Sequence, residues 1–198
     1  MRILLVGAHG TLGRAVAEAL SHHEVVAASR SGGERVDLDD AASIAELYRR
    51  VGEVDAVACT AGVTPFGPLG ELSLEQFSAG LVNKLLGQIA LVRLGIEHVT
   101  DTGSFTLVSG VIGEEPIPGG SVPATVNGGV QRFVRAAAIE LPRGLRINSV
   151  SPTVLTESWD AYGPSFPGFE PVPAASAARA YVRSIEGAQT GQTYRVGY

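Results

Sequence analysis

The chain has 198 residues, 45% of them hydrophobic and 18% charged, with a formal net charge of −5, which suffices for one packed domain and argues against nucleic acid or an anionic membrane as its main partner. Cys59 is the single cysteine, excluding an internal disulfide and a cysteine-based zinc cluster. No run approaches a membrane span and the first apolar stretch stops at Gly7, too early for a signal peptide, so a soluble, cytoplasmic domain over residues 1–198 is expected.

Ile3-Leu4-Leu5-Val6 reads as a buried strand, after which Gly7, Gly10 and Gly13 stand at every third position. Leu12, Val16, Ala19 and Leu20 then form a helical apolar stripe. Strand, glycine turn and helix in that order make a phosphate cradle. Gly7 takes the tight turn, Gly10 admits backbone N–H groups to a pyrophosphate, and Gly13 lets helix and strand pack closely. His9, Thr11 and Leu12 belong to the same turn. The spacing is G-x-x-G-x-x-G rather than G-x-G-x-x-G, so the weight lies on its place at the head of a βα unit.

Val25 to Arg30 reads as the second strand and Val36-Asp37-Leu38 as a short third. Asp39 or Asp40 caps a helix with the stripe Ile44, Leu47, Tyr48 and Val51, ended by Gly52. Val54 to Ala58 is the fourth strand, with Cys59-Thr60-Ala61-Gly62 as its exit. Ser73 opens a long helical region carrying Leu74, Phe77, Leu81 and Leu85 and running through Leu94. Ser104 to Ser109 is the fifth strand, followed by an irregular loop to Pro123. Ala124 to Leu141 returns to helix, Arg146 to Ser151 is the sixth strand, and a long loop runs from Pro152 to Pro173. Ala174 to about Glu186 is the last helix and Thr193 to Val196 the last strand.

Alternating strands and helices specify a single α/β domain, a doubly wound parallel sheet with right-handed crossovers. Ligands of such sheets lie beyond the carboxyl ends of the strands. The informative residues are therefore the strand exits: the glycine turn, Ser29–Arg30, Asp37–Leu38, Cys59–Gly62 with Ala61, Ser109–Gly113, and Pro152–Thr156 with Val154 and Leu155. Arg30 stands where the adenine ribose of a dinucleotide would lie, and arginine there pairs with a 2′-phosphate, with Ser29 adding a hydrogen bond. This selects NADP(H) over NAD(H). Asp37 either accepts from the adenine amine or caps the next turn.

The glycine turn, Val36-Asp37-Leu38, Ala61-Gly62, Asn83-Lys84-Leu85-Leu86-Gly87, Ser109, Arg146 to Pro152 and Thr190-Gly191-Gln192 together resemble the short-chain dehydrogenase/reductase family, over essentially the whole chain. The resemblance implies a Rossmann sheet in the order 3-2-1-4-5-6-7 and binding of NAD(P)(H). It also implies a homodimer or homotetramer, built through the helix after Ala124 and the helix bearing Asn83. Family enzymes use Ser, Tyr and Lys with a helical Asn; Ser109 and Asn83 match the first and last. Alignment puts Pro123 at the tyrosine and Asn127 at the lysine. Proline has no proton to give, while Asn127 retains the ability to bond the nicotinamide ribose. Thr60 stands where the family has asparagine before Ala-Gly, Thr153 replaces a glycine, and Thr156 lies one position early for the threonine that meets the nicotinamide amide. The resemblance points further to a short subgroup without the Tyr-x-x-x-Lys motif.

Tyr162, in the long loop, is the first candidate for a substitute acid, and Ser109 acting through a water is the second. Lys84 is the only lysine, but it follows Asn83 on a helix and is expected to point about 100° away. His22, His23 and His98 read as surface residues, and no metal-ligand spacing is present. The expected function is an NADP(H)-dependent oxidoreductase acting on a carbonyl or alcohol of a small molecule. The alternatives are an NADP(H)-binding sensor or structural subunit, and a redox-neutral isomerase or cyclase on the same scaffold.

Overall fold

The computed structural model describes residues 1–198. Seven strands form one parallel sheet in the order β3-β2-β1-β4-β5-β6-β7: β1 (Arg2–Val6), β2 (Glu24–Ser29), β3 (Glu34–Arg35), β4 (Val54–Cys59), β5 (Val99–Val108), β6 (Arg146–Pro152) and β7 (Thr193–Val196). β1 lies between β2 and β4, with Ile3 opposite both Val25 and Ala56. The strand order therefore reverses at β1 and β4, and the crevice opens beyond their carboxyl ends.

Side-chain alternation divides the core. Ile3 and Leu5 project into a cluster with Val16, Leu20 and Tyr181, beneath α1 (Thr11–Ala19) and α7 (Ala174–Glu186). Leu4 and Val6 project to the other face and pack with Ile44, Tyr48, Leu91 and Val134. That face is covered by α2 (Ala41–Val51), α4 (Gly87–Gly95) and α5 (Ser121–Glu140). Sheet residues buried on both faces explain why the strands read as continuous apolar runs. Each large side chain so buried contributes roughly 1.5–3 kcal/mol. A third cluster, with Val111, Ile112, Val154 and Phe166, seals the loops at the carboxyl end of the sheet.

Several elements differ from the sequence expectation. The third strand is Glu34–Arg35 rather than residues 36–38, because side chains take over the backbone bonding there. The Asp37 N–H donates to Ser43 Oγ and the Asp39 N–H to Asp37 Oδ1, which ends the ladder. Asp40, not Asp39, caps α2, its carboxylate accepting from the Ala42 N–H. β5 starts earlier than expected, at Val99 opposite Val54, and passes through a register shift before Ser104 meets Ala56. α5 begins at Ser121 instead of Ala124, and the 152–173 loop contains the short helix α6 (Trp159–Tyr162).

The long helical region is one run from Leu74 to His98, 25 residues, and by length and composition alone it is apolar enough to cross a membrane. That corrects the expectation that no run approaches such a length. Nor is it a uniform helix: α3 (Leu74–Gly80) and α4 are joined by a π-helical segment, Leu81–Leu86. Such segments are rare and tend to mark functional sites. This one carries Asn83 and Lys84 to the carboxyl end of the sheet.

Candidate active site

Two cavities of about 360 and 380 Å³ meet at Thr60, Gly62 and Val63 to form one cleft across the carboxyl ends of the strands. The first is walled by Gly7, His9, Gly10, Ser29, Arg30, Asp37, Leu38, Ala61 and Asn83. The second includes Leu12, Lys84, Ser109, Pro123, Asn127, Pro152, Thr153, Val154, Leu155 and Tyr162. Thr11 and Gly13 line neither cavity.

The glycines of the first turn divide by what requires them. Gly7 has φ +89°, and a Cβ on it would lie 2.7 Å from Thr60 Oγ1. A Cβ on Gly13 would lie 2.0 Å from the Gly7 carbonyl oxygen. Both are demanded by the fold. Gly10 has ordinary extended backbone, φ −73° and ψ 171°, and its Cβ would meet nothing closer than Gly7 O at 3.5 Å. The space in front of it belongs to the cleft. α1 starts there with no side-chain cap and no acid in its first turn, so its N-terminal N–H groups and positive dipole end face the cleft uncompensated.

Behind this turn His9 Nδ1 lies 2.9 Å from Ser29 Oγ, and Ser29 Oγ accepts from the N–H groups of Ser31 and Gly32. The loop after β2 is thereby held in place with Arg30 exposed at its head. Thr60, in the asparagine's place, donates from its hydroxyl to Val6 O or Gly7 O, at 3.2 and 3.1 Å, tying the exit of β4 to that of β1.

The π-helical segment faces the junction of the two cavities. Asn83 Oδ1 accepts from the Val63 N–H at 2.8 Å, and its Nδ2 donates to Asp39 Oδ1 at 2.8 Å. Asn83 therefore braces the 61–63 turn in the first cavity, and the structure does not bring it to Ser109. Lys84 passes on the other side of that turn. Its Nζ donates to Ser109 O at 3.3 Å, so the expectation that it turns away from the site is corrected. The two side chains do diverge as the helical step requires, but the segment straddles the turn, and both directions lead into the cleft. Burial lowers the Lys84 pKa to about 8, against an opposing effect of Cys59.

Ser109 is buried at the exit of β5. Its hydroxyl donates to Asn127 O at 3.2 Å and accepts from Gln131 Nε2 at 3.0 Å. Pro123 and Asn127 stand one turn apart on α5 and both line the second cavity. Asn127 Oδ1 and Thr153 Oγ1 are buried there without a partner. Buried polar atoms are nearly always satisfied, so two among the residues lining one cavity mark a place for a polar ligand. Tyr162 is 48% exposed, its ring 6.4 Å from that of Phe66. Thr156, at the start of a 3-10 turn, lies outside the cavity lining that includes Thr153.

Sequence reasoning gave no role in the site to Lys84, Gln131 or Thr153. The sequence does carry a signal for the first, which is the solitary lysine beside an asparagine in an otherwise apolar helix. Thr153 falls within the Pro152–Thr156 exit, but the sequence singles it out only as a departure from glycine.

The family described as Enoyl-(Acyl carrier protein) reductase matches residues 7–190. Hydroxynaphthalene reductase arp2 of Aspergillus fumigatus is 27% identical over 118 residues, 59% of this chain and 43% of that protein. An uncharacterized NAD-dependent oxidoreductase of Mycobacterium tuberculosis is 30% identical over 125 residues, 59% of this chain and 46% of that protein. The chain thus spans about half the length of the curated relatives it matches. Among solved structures, protein lin1944 of Listeria innocua superposes with a TM-score of 0.97 at 51% identity, covering 99% of both chains. A small-chain dehydrogenase in complex with NADPH superposes with a TM-score of 0.89 at 23% identity, covering 99% of this chain and 96% of its own.

Proposed function

The chain belongs to the short-chain dehydrogenase/reductase family, and on that premise we propose that it is an NADP(H)-dependent oxidoreductase acting on a carbonyl or alcohol of a small molecule. The observation that carries this reading is the continuity of the cleft. A single groove runs from exposed Arg30, past the open N-terminus of α1, to the unpartnered Asn127 Oδ1 and Thr153 Oγ1. It offers a cation and free N–H groups for phosphates at one end and polar atoms for a ribose and a carboxamide at the other. The residues present fit the cofactor.

In this reading Arg30 and Ser29 hold the 2′-phosphate, and the α1 terminus with Gly10 receives the pyrophosphate. Asp37 spends Oδ1 on Asp39 and keeps Oδ2 for the adenine amine. Asn127 Oδ1 accepts from the nicotinamide ribose, and Thr153 Oγ1 bonds the carboxamide. When bound, the nicotinamide supplies a hydride. Ser109 orients the substrate oxygen, its hydroxyl fixed in place by Gln131. Asn83 acts on the cofactor side by bracing the 61–63 turn. Pro123 and Asn127 occupy the places of the family's tyrosine and lysine, so the active site is a non-standard one. A positioned acid is typically worth 10²–10⁴-fold in rate, and its source is taken up below. The reading extends to a homodimer or homotetramer through α4 and α5, near which the end of the π-helical segment exposes Leu86 and α5 exposes Ile139.

A second reading, an NADP(H)-binding protein without hydride transfer, has one specific observation behind it. The Ser109 proton is already donated to Asn127 O, so Ser109 polarises a carbonyl only by giving up that bond. NADPH titration followed by an oxidation assay over a panel of aldehydes, ketones and quinones separates the two. Oxidation that disappears in Ser109→Ala supports the enzyme. Tight NADPH binding with no oxidation across the panel supports the binding protein.

A further inference from the structure

Lys84 is the only lysine of the chain and the only charged residue lining the second cavity. Its position is built. Gly62, at φ +143°, leaves room for the stem, since a Cβ there would lie 2.4 Å from Lys84 Cγ. The π-helical segment sets its direction, and Ser109 O, 3.3 Å from Nζ, receives its donation. No carboxylate pairs with it. Opposite-charge partners normally stabilise an ammonium held away from water, so leaving this one without a counter-ion in a cleft calls for a functional account.

We propose that Lys84 is the proton-transferring residue of this cleft, donating to the oxygen of a bound carbonyl during reduction and accepting from an alcohol during oxidation. The proposal rests on the oxidoreductase reading above and names what that reading lacks. In reduction the carbonyl carbon receives a hydride, with its two electrons, from the reduced nicotinamide cofactor. The C=O π pair closes onto oxygen, and an Nζ–H bond breaks as the O–H bond forms. Lys84 is left as a neutral amine and regains its proton from water in the open cleft. Oxidation runs the same bonds in reverse.

Burial of the ammonium brings its pKa to about 8, which keeps both protonation states accessible near neutrality, as proton transfer requires. Cys59 lies near enough to act on its charge, and Tyr162 is the other titratable side chain lining the second cavity. The Cys59 thiol is buried and pushed up to about 12, so it stays neutral. Tyr162 stands at the open side of the cleft, against Phe66. Lys84 thus has the interior position and a proton that leaves at moderate pH.

A sole lysine gives a direct readout. In full-length protein labelled with ε-¹³C lysine, NMR titration follows Lys84 alone. Its midpoint should lie near 8, fall further with NADP⁺ bound, because the oxidised nicotinamide is cationic, and stay in place with 2′,5′-ADP, which fills only the first cavity. Lys84→Met and Lys84→Arg should bind NADPH within about fivefold of the parent and lose on the order of 100-fold or more in NADPH oxidation over the carbonyl panel. Arginine should rescue nothing, since it keeps the charge but does not release a proton. A midpoint near the ordinary lysine value of about 10.4, a signal indifferent to NADP⁺, or turnover restored by Lys84→Arg would overturn the proposal. So would loss of turnover in Tyr162→Phe with retention in Lys84→Met. Failure of the parent protein to bind NADPH at all overturns the oxidoreductase reading instead, and the proposal falls with it.

Discussion

The two halves of the cleft are built by different means. The first cavity, where the adenosine end is proposed to lie, is made mostly by two short stretches, the glycine turn with the α1 terminus and the loop after β2 held by Ser29, completed by Asp37, Ala61 and Asn83. The second cavity, where the nicotinamide end is proposed to lie, is made by residues far apart, with Lys84 from the π-helical segment, Ser109 from the end of β5, Asn127 from α5 and Thr153 after β6. In the first half the backbone supplies much of the binding chemistry, and side-chain identity matters at few positions. In the second, side chains supply it, and the packing of four elements decides which of them meet. The first half suits a ligand common to a family, the second a site free to change its chemistry.

The largest expected effect separates what the fold needs from what the ligand needs. Gly13→Ala drives a Cβ to 2.0 Å from a backbone oxygen. It should cost roughly 3 kcal/mol or more and lower the melting temperature by about 6–12 °C. Gly10→Ala, where only open cleft lies ahead of the Cβ, should melt within about 1 kcal/mol of the parent yet lose NADPH binding. Equal melting losses in both would mean that Gly10 too is structural.

Next comes the charge at the head of β2. Arg30→Ala should weaken NADPH by about 10- to 100-fold, the worth of a charge-assisted hydrogen bond to phosphate, and leave NADH unchanged. Calorimetry with both cofactors measures this, and equal losses would remove Arg30 from the phosphate site.

In the nicotinamide half, stability and function should oppose each other. The folded-state pKa of Lys84 is about 8, below its unfolded value of about 10.4. Between these values the unfolded chain binds more protons, so the parent gains stability as pH rises through that window, while below pH 8 it carries the full cost of the buried charge. Lys84→Met should therefore melt a few degrees higher at pH 7, and its advantage should shrink by pH 10. An advantage that does not change with pH would assign the gain to packing alone. The smallest effect is expected at Thr153. Thr153→Val removes an unpartnered buried hydroxyl, so the free protein should be unchanged or slightly more stable, with NADPH weakened only about fivefold.

The same division governs what the sequence disclosed. The strands, the helices and the glycine turn follow from apolar runs, helical stripes and turn residues, all local signals, whereas the order of the strands in the sheet came from the family resemblance. That Ser29 and Arg30 would line the crevice was legible because a strand end has a fixed relation to it. Lys84 was not, because its direction depends on a π-helical step and on where that segment crosses the 61–63 turn. Neither has a signature in hydrophobic spacing. Asn83 was matched to the family's helical asparagine by resemblance, and its two hydrogen bonds place it against Val63 and Asp39. The third strand starts two residues and ends three residues before the expected span, because side-chain bonds from Ser43 and Asp37 replaced the ladder. Where geometry came from neighbours in the chain it could be read, and where it came from packing it had to be seen.

The central claim is that one continuous cleft takes NADP(H) along its full length. Calorimetric titration of NADPH against the parent and a folded Gly10→Ala variant, with 2′,5′-ADP as the half-ligand, tests it most directly. The account predicts that NADPH binds the parent more tightly than 2′,5′-ADP does, since both halves contribute, and that neither ligand binds the variant measurably. NADPH binding no tighter than 2′,5′-ADP, or undiminished in Gly10→Ala, would contradict it.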